Sequence, residues 1–464
     1  MDKLKIGFVP AHREPFDQSW AEAMRQRCLT AFARNKMVEI IVPDRQLTRG
    51  GCVRDDVEAD KTIALFREKG IHGLMIGTVT FGDEVSALSI ASAFSNRPIL
   101  LFGTKEGPFT ADANRRSDSF CGTLSISSGL HRRHIPFVFA GVVFPEENDF
   151  TDNVDRFVRV CAVARGFIGA RIGLVGPRPE RFETCIFSED ALMDSFGQKV
   201  VPIELADIMS DAAAQDASSV SRKIIRKMKA QADLSSVDAK TMEKIASLEC
   251  ALNRFAQEKR LAAMGVQCWT AMQSVYGLSP CHAMGRLTDQ GIMTSCEVDI
   301  YGALTMLVQY LASLGATVPH FIDWTIQHQQ NPDTFLAWHC GNGPPSLCGG
   351  GRVNVSYHSI LGPSLGLERS KGTGEFQLKP GVVTLCRLQE HDGEFKMLVT
   401  KGKAVRSRQE LRGSWSWVKV SDLELLYRTL VEHGFVHHAS MIHGDYSEAI
   451  CDACEYLGIE AVEV

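Results

Sequence analysis

Short apolar runs alternate with longer segments of helical period through the first third of the chain. Lys5-Ile6-Gly7-Phe8-Val9-Pro10 is apolar and closed by proline, which reads as a buried strand. From Trp20 to Asn35 the apolar residues return at helical spacing. Val38 to Pro43 reads as a strand, Asp60 to Lys69 as a helix and His72 to Gly77 as a strand. Glu84 to Ser95 then reads as a helix and Pro98 to Gly103 as a strand. Such alternation predicts a parallel sheet covered on both faces.

The same pattern restarts further on. A helix predicted from Asp152 to Arg165 leads into the apolar run Ala170-Arg171-Ile172-Gly173-Leu174-Val175. Ser218 to Lys259 is charged and helical in period, with Arg222 and its neighbouring lysines on a solvated face. A strand is predicted over Gln267–Trp269, and Ile300 to Leu314 is a strongly apolar helix, expected to be buried between domains. After Gly341 the texture changes to Gly, Pro and Ser. Strands are predicted over Gly374–Leu378, Gly381–Glu390 and Glu394–Lys401, with His391-Asp392-Gly393 as a hairpin turn. Helices over Asp422–His433 and Tyr446–Leu457 and a strand over Glu460–Val464 close the chain. The fold class predicted is α/β: two Rossmann-like parallel-sheet domains (1–168 and 169–312), then a C-terminal domain (313–464) with an antiparallel β-barrel-like sheet and terminal helices.

At 464 residues the chain is too long for one ordinary core. A net charge of −5 gives no reason to expect nucleic acid or an anionic membrane as partner. No apolar run approaches the length of a membrane span. The 14 cysteines are scattered. The one CxxC spacing, Cys451 to Cys454, lies on a predicted helix and reads as two core thiols. The opening Met1-Asp2-Lys3-Leu4 lacks the pattern of a signal peptide, so the expectation is a reduced, cytoplasmic protein.

Candidate chemistry concentrates between Cys281 and Ser346. Glu297 sits in Ser-Cys-Glu-Val-Asp-Ile-Tyr, at the mouth of the apolar helix, and Asp323 ends the run Val-Pro-His-Phe-Ile-Asp. A carboxylate among large apolar groups is costly to bury unless a charge offsets it. A bound cation is the simplest answer, with His339 and the His437-His438 pair available to complete its ligands. Two carboxylates with one or two imidazoles suit Mn²⁺, with Mg²⁺ and Co²⁺ as alternatives. Past the predicted N-terminal strands, Arg13 is placed to hold a sugar hydroxyl or a neighbouring subunit's carboxylate, or to be a solvated loop residue. Gly173 and Gly176 lack the spacing of a nucleotide loop, and Pro177 and Pro179 remove amide donors. Trp415 and Trp417 share one strand face, suited to a sugar ring or to a core. Asp299 reads as structural. His443 and Asp445 read as supporting partners or as surface groups.

These residues carry a resemblance. Arg171-Ile-Gly-Leu-Val-Gly-Pro-Arg-Pro with Phe182 and Cys185, Cys296-Glu-Val-Asp-Ile-Tyr-Gly-Ala, Ile322-Asp-Trp and His437-His438 are similar to the L-fucose isomerase and L-arabinose isomerase superfamily. The resemblance implies a ketol isomerase that interconverts an aldose and a ketose, a pentose or deoxyhexose, through a cis-enediol. It implies a divalent metal, usually Mn²⁺, on Glu297, Asp323 and His438, with the two carboxylates also moving protons. By similarity to the arabinose members, His339 is a further ligand or a substrate contact. A homo-oligomer, a hexamer in the family, is implied, with sites near subunit contacts. The readings outside this one are a non-catalytic sugar-binding or sensing protein, and a metal-dependent aldolase or epimerase.

Overall fold

The computed structural model describes residues 2–214 and 219–464. Met1, which opens the stretch tested for a signal peptide, and Ser218, first of the charged helical stretch, lie outside the described residues. The chain forms two compact units, 1–165 and 166–464. The segments 169–312 and 313–464 lie together in the second.

The first unit alternates strand and helix: β1 (Leu4–Ala11), α1 (Gln18–Phe32), β2 (Val38–Ile41), α2 (Asp56–Lys69), β3 (Gly73–Thr78), α3 (Glu84–Ala93), β4 (Ile99–Thr104), α4 (Ser119–Arg132), β5 (Val138–Val143) and α5 (Asn148–Phe167), of which α4 and β5 were not predicted. The five strands are parallel in the order β2-β1-β3-β4-β5. One face buries Leu74, Ile76 and Leu101 with Phe66, Ile90 and Ile126 from the helices. Aspartates cap the helices: Asp55 accepts the Glu58 amide and Asp83 the Ser86 amide. The strand order reverses between β1 and β3. There His12 Nδ1 lies 2.7 Å from Thr80 Oγ1, and Arg13 pairs with Glu84 at 3.6 Å.

The second unit begins with β6 (Arg171–Val175), α6 (Glu189–Phe196), β7 (Lys199–Ile203), α7 (Leu205–Ala214), α8 (Ser219–Gln231), β8 (Ala232–Asp233), α9 (Ala239–Lys259), β9 (Ala263–Val266), α10 (Cys281–Asp289), β10 (Met293–Ser295) and α11 (Ile300–Ala312). Four of its strands are parallel, in the order β10-β9-β6-β7. The strand expected at Gln267–Trp269 falls earlier, because Ala263–Val266 is the run that pairs with both β6 and β10. The expected residues instead leave its carboxyl end.

Next come β11 (Pro319–Gln327), β12 (Thr334–His339), β13 (Val353–Tyr357), α12 (Gly362–Leu365), β14 (Lys371–Gln377), β15 (Gly381–His391), β16 (Glu394–Val405), β17 (Ser414–Val420), α13 (Leu423–Glu432), β18 (His438–His443), α14 (Ser447–Leu457) and β19 (Glu460–Glu463). These strands and β8 make a ten-stranded sheet. It is mixed rather than antiparallel: β19 returns through α14 to run parallel to β16, β8 runs parallel to β13, and β14 runs parallel to β17. Pairing of β16 with β17 links β11, β12, β17, β16, β15 and β18 into a closed circuit. Asp392 and Gly393, with φ of 55° and 85°, make the predicted hairpin turn.

Helix α11 joins the two sheets of this unit. It packs on β6, β9 and β10 from the parallel sheet and on β11, β15 and β18 from the mixed one. Every residue of it but Tyr310 is buried. A helix apolar on all sides is the sequence form of such a position.

Candidate functional site

Four elements bring side chains to one place. Glu297 follows β10, Asp323 lies in β11, His339 ends β12 and His438 opens β18. Register brings two of them together across 115 positions of sequence: Asp323 stands directly opposite His438 in the antiparallel pair β11–β18. The next strand over, β12, pairs Trp338 with Asp323 and leaves His339 beside it.

Glu297 arrives by a strained route. Glu297 and Val298 both take left-handed backbone, φ 53° and 62°. A β-branched residue there is an outlier, held only where its surroundings over-determine it. The Val298 amide donates to the Val266 carbonyl at 3.3 Å, and the Asp299 amide to the Cys296 carbonyl at 3.0 Å. Asp299 then caps α11, its carboxylate accepting the Gly302 amide at 2.8 Å. The reversal aims the Glu297 carboxylate away from the helix, toward the strands.

The four side chains converge. His438 Nε2 lies 3.6 Å from Glu297 Oε2 and 3.7 Å from Asp323 Oδ1. His339 Nε2 lies 3.8 Å and 3.9 Å from the same two oxygens. Glu297 Oε2 and Asp323 Oδ1 are buried and have no hydrogen-bond partner. The ligand atoms of Glu297, His339 and His438 all fall within 4.8 Å of one another. Two orphaned carboxylate oxygens facing two ring nitrogens fit a divalent cation placed among them. Glu297, His339 and His438 side chains are almost wholly enclosed, whereas that of Asp323 is 20% exposed, so the centre opens on the Asp323 side.

Further groups hold these side chains. His438 Nδ1 donates to Asp299 Oδ2 at 2.9 Å, and Asp299 is ion-paired with Arg387, which is wholly buried. His339 Nδ1 lies 3.2 Å from the Cys340 sulfur. Cys268 touches Glu297 twice, its thiol on Oε1 at 3.5 Å and the Glu297 amide on its sulfur at 3.4 Å.

Electrostatics follow the burial. Burial pushes the Glu297 carboxyl well above its usual range, and the nearby Asp323 carboxylate adds to this. Asp323 is raised as well, again by burial first. Burial lowers His438. Burial also works against protonated His339, but negative charge at Cys340 and Asp323 outweighs it and raises that imidazole to about 9. Asp299 goes the other way: burial alone would raise it, yet Arg387 and His438 hold it below its ordinary value.

Residues 7–168 match the family model described as fucose/sulfoquinovose isomerase, N-terminal domain, and residues 338–464 match L-fucose isomerase, C-terminal domain. The chain belongs to the fucose isomerase superfamily. Curated relatives include the sulfoquinovose isomerases of Priestia aryabhattai and Priestia megaterium, each 25% identical over 471 residues and 99% of both chains. That of Alkalicoccus urumqiensis is 25% identical over 393 residues, 83% of this chain and 85% of its own. This member of the superfamily is a sugar aldose–ketose isomerase. Among the described residues no helix is long and apolar enough to cross a membrane.

Other residues singled out in this isomerase's sequence fall elsewhere. Arg13 belongs to the first unit, where it pairs with Glu84 and lies over the Phe81 ring. Trp415 is 2% exposed, packs with Leu336 and Trp417, and donates its indole N–H to the Leu411 carbonyl. It is a core side chain, with no ring face left for a sugar. His443 donates to the Lys379 carbonyl and Asp445 accepts from Ser447, so both are turn contacts. Cys454 is buried and Cys451 half-buried, and both are free thiols. His437 is exposed, its ring 4.1 Å from that of His438.

Sequence reasoning missed Asp299, Arg387 and Cys340. Asp299 reads from the sequence as structural; it caps α11, and its contact with His438 was not foreseen. The signal available was chemical: a buried imidazole offering Nε2 needs an acceptor for its Nδ1 proton, and Asp299 is the acid nearest to the site in sequence.

Proposed function

We propose that Glu297, Asp323, His339 and His438 hold a divalent cation, Mn²⁺ first and Mg²⁺ or Co²⁺ as substitutes, and that Glu297 and Asp323 move the proton between C1 and C2 of an open-chain sugar. The observation that carries this reading is the pair of orphaned oxygens, Glu297 Oε2 and Asp323 Oδ1, set between two imidazole nitrogens.

A bound cation polarises a carbonyl and offsets negative charge developing on neighbouring oxygens. The chain's own groups do the rest. Each carboxylate has a second oxygen beside the one facing the imidazoles. Glu297 Oε1 is held by the Cys268 thiol, and Asp323 belongs to the more open side of the centre. One carboxylate takes the carbon-bound proton and the other serves the oxygen or returns the proton to the adjacent carbon through a planar cis-enediol. Burial holds both carboxyls above their ordinary range, the direction required of a group that must both take and give a proton. His438 and His339 position the pair, and the enclosed side chains of Glu297, His339 and His438 keep water from their side of the intermediate.

Sulfoquinovose is the first sugar to test, because the relatives that match this chain end to end are named for it. Pentoses and 6-deoxyhexoses complete the screen. A homo-oligomer, hexameric by resemblance, belongs to the same reading, with Arg13 reaching a sugar hydroxyl or a carboxylate of a neighbouring subunit. The test uses protein stripped with EDTA and reloaded with Mn²⁺, each sugar followed by ¹³C NMR and the mass by light scattering. Interconversion of one aldose with its ketose only after reloading is expected. Equal turnover before and after reloading, or none on any sugar, overturns the reading.

A further inference from the structure

An imidazole that offers Nε2 to a cation carries its proton on Nδ1, and something must accept that proton. For His438 the acceptor is Asp299. His339 has no carboxylate at Nδ1. Its partner there is the sulfur of the following residue, Cys340, at 3.2 Å, with both side chains buried.

The sulfur is held in place. Strand β12 ends at His339, and Gly341 then takes φ 124°, which L side chains rarely adopt. A Cβ on Gly341 would lie 2.9 Å from the Gly374 amide, whose N–H donates to the Gly341 carbonyl at 2.9 Å. This turn folds the chain back so that Cys340 lies against the ring before it. On its far side the Cys340 sulfur meets the Cys281 sulfur at 3.8 Å, and Cys296 and His358 also face it. His358 Nδ1 accepts the Ile360 and Leu361 amides at 3.3 Å and 3.2 Å, which leaves the proton of its neutral ring on Nε2. His358 thus has an N–H to offer Cys340, the sulfur shared by the Cys281 and His358 cluster.

We propose that Cys340 is a positioning residue for His339: its sulfur accepts the Nδ1 proton and fixes the ring so that Nε2 faces Glu297 and Asp323. It does for His339 what Asp299 does for His438. The inference rests on the reading of the four residues as a cation site.

The test compares the full-length protein with Cys340→Ala, Cys340→Val and Cys340→Ser. Valine keeps the volume without the acceptor, and serine keeps an acceptor. Two measurements are made: Mn²⁺ affinity by electron paramagnetic resonance, and the His339 Nδ1–H resonance by NMR, in metal-free and Mg²⁺-loaded samples. That resonance is assigned by its loss in His339→Gln. Loss of a partner to a ligand histidine typically weakens metal binding by about 10–100-fold. The expected result is weakening of that order in the alanine and valine variants, with loss of the downfield, exchange-protected resonance. The serine variant retains both. Unchanged affinity and an unchanged resonance in the alanine and valine variants overturn the proposal. If the unmodified protein binds no divalent cation, the cation-site reading fails, and the metal-free resonance alone decides whether Cys340 holds His339.

Discussion

His438 gives its Nδ1 proton to Asp299 at 2.9 Å, and Asp299 is at once the cap of α11 and the counter-ion of the buried Arg387. One carboxylate thus ties the start of the central helix to β15 and to β18. The ring it holds presents Nε2 to Glu297 and Asp323. The orientation of this imidazole is therefore set by the junction of the two sheets.

Asp299→Asn separates these roles. It leaves a buried guanidinium without its charge partner, a loss of about 3–5 kcal/mol. It also replaces a charged acceptor at His438 Nδ1, and Mn²⁺ affinity is expected to fall about 10–100-fold. Urea unfolding of the metal-free protein reads the first effect and Mn²⁺ titration the second. Wild-type metal affinity in a destabilised variant would confine Asp299 to the fold.

Glu297→Gln is expected to abolish turnover yet stabilise the metal-free protein. The reason is the sign of the shift. A buried carboxyl whose native pKa is raised costs stability at any pH where the unfolded chain ionises and the native one resists. That cost begins as pH rises through the ordinary value of 4.5 and is present at neutral pH. Glutamine removes it, along with the repulsion from Asp323. The order reverses when Mn²⁺ is added, because only the carboxylate draws stability from the ion. Thermal unfolding of both proteins, with EDTA and with Mn²⁺, checks the crossover. A variant less stable in EDTA would contradict it.

The first unit was legible as far as β4 because its strands and helices announce themselves locally, whereas α4 and β5 were not read from the sequence. Proline closes the apolar run at Pro10, one residue short of the strand's end, and helical spacing returns from Trp20. The two carboxylates were legible for a different reason, as charges set among apolar neighbours. The strand at His438–His443 was not, since His-Ala-Ser-Met-Ile-His alternates no polar and apolar faces, and its place is set by pairing with β11 and β15. The left-handed turn at Glu297 and Val298 is likewise invisible to propensity, which gives valine no reason to be there. Trp415 stayed open between sugar and core in the sequence because period-two aromatics look alike whether they face a ligand or a core.

His282 supplies a prediction on acid stability. It is buried on α10 with neither ring nitrogen hydrogen-bonded, and burial, helped by Arg286, lowers it from 6.5 to about 3. The unfolded chain takes up this proton first as pH falls below 6.5, so the stability present above that value is lost steadily down to about 3. Between pH 7.5 and 5.5 one such histidine costs about 1.4 kcal/mol. His282→Leu is expected to lose that much less across the same interval, measured by urea unfolding at both pH values. Parallel losses in the two proteins would mean that His282 is protonated in the native state.

Gly265 tests the strained turn itself. It lies in β9 under the backbone of the site, and a methyl group there would stand 2.9 Å from the Val298 Cα and carbonyl carbon and 3.2 Å from the Asp299 nitrogen. Backbone cannot give way as a flexible side chain can, so Gly265→Ala must move either β9 or the Glu297–Val298 turn. β9 is pinned between β6 and β10, whereas the turn already occupies a costly conformation. The turn is the part expected to yield, at about 1–3 kcal/mol. Glu297 would then leave its place opposite His339 and His438, and turnover and Mn²⁺ affinity should fall together, each at least about ten-fold, in a protein that still folds. A variant destabilised by the same amount but with normal metal binding would show that the sheet moved, and that the turn holds Glu297 without help from Gly265.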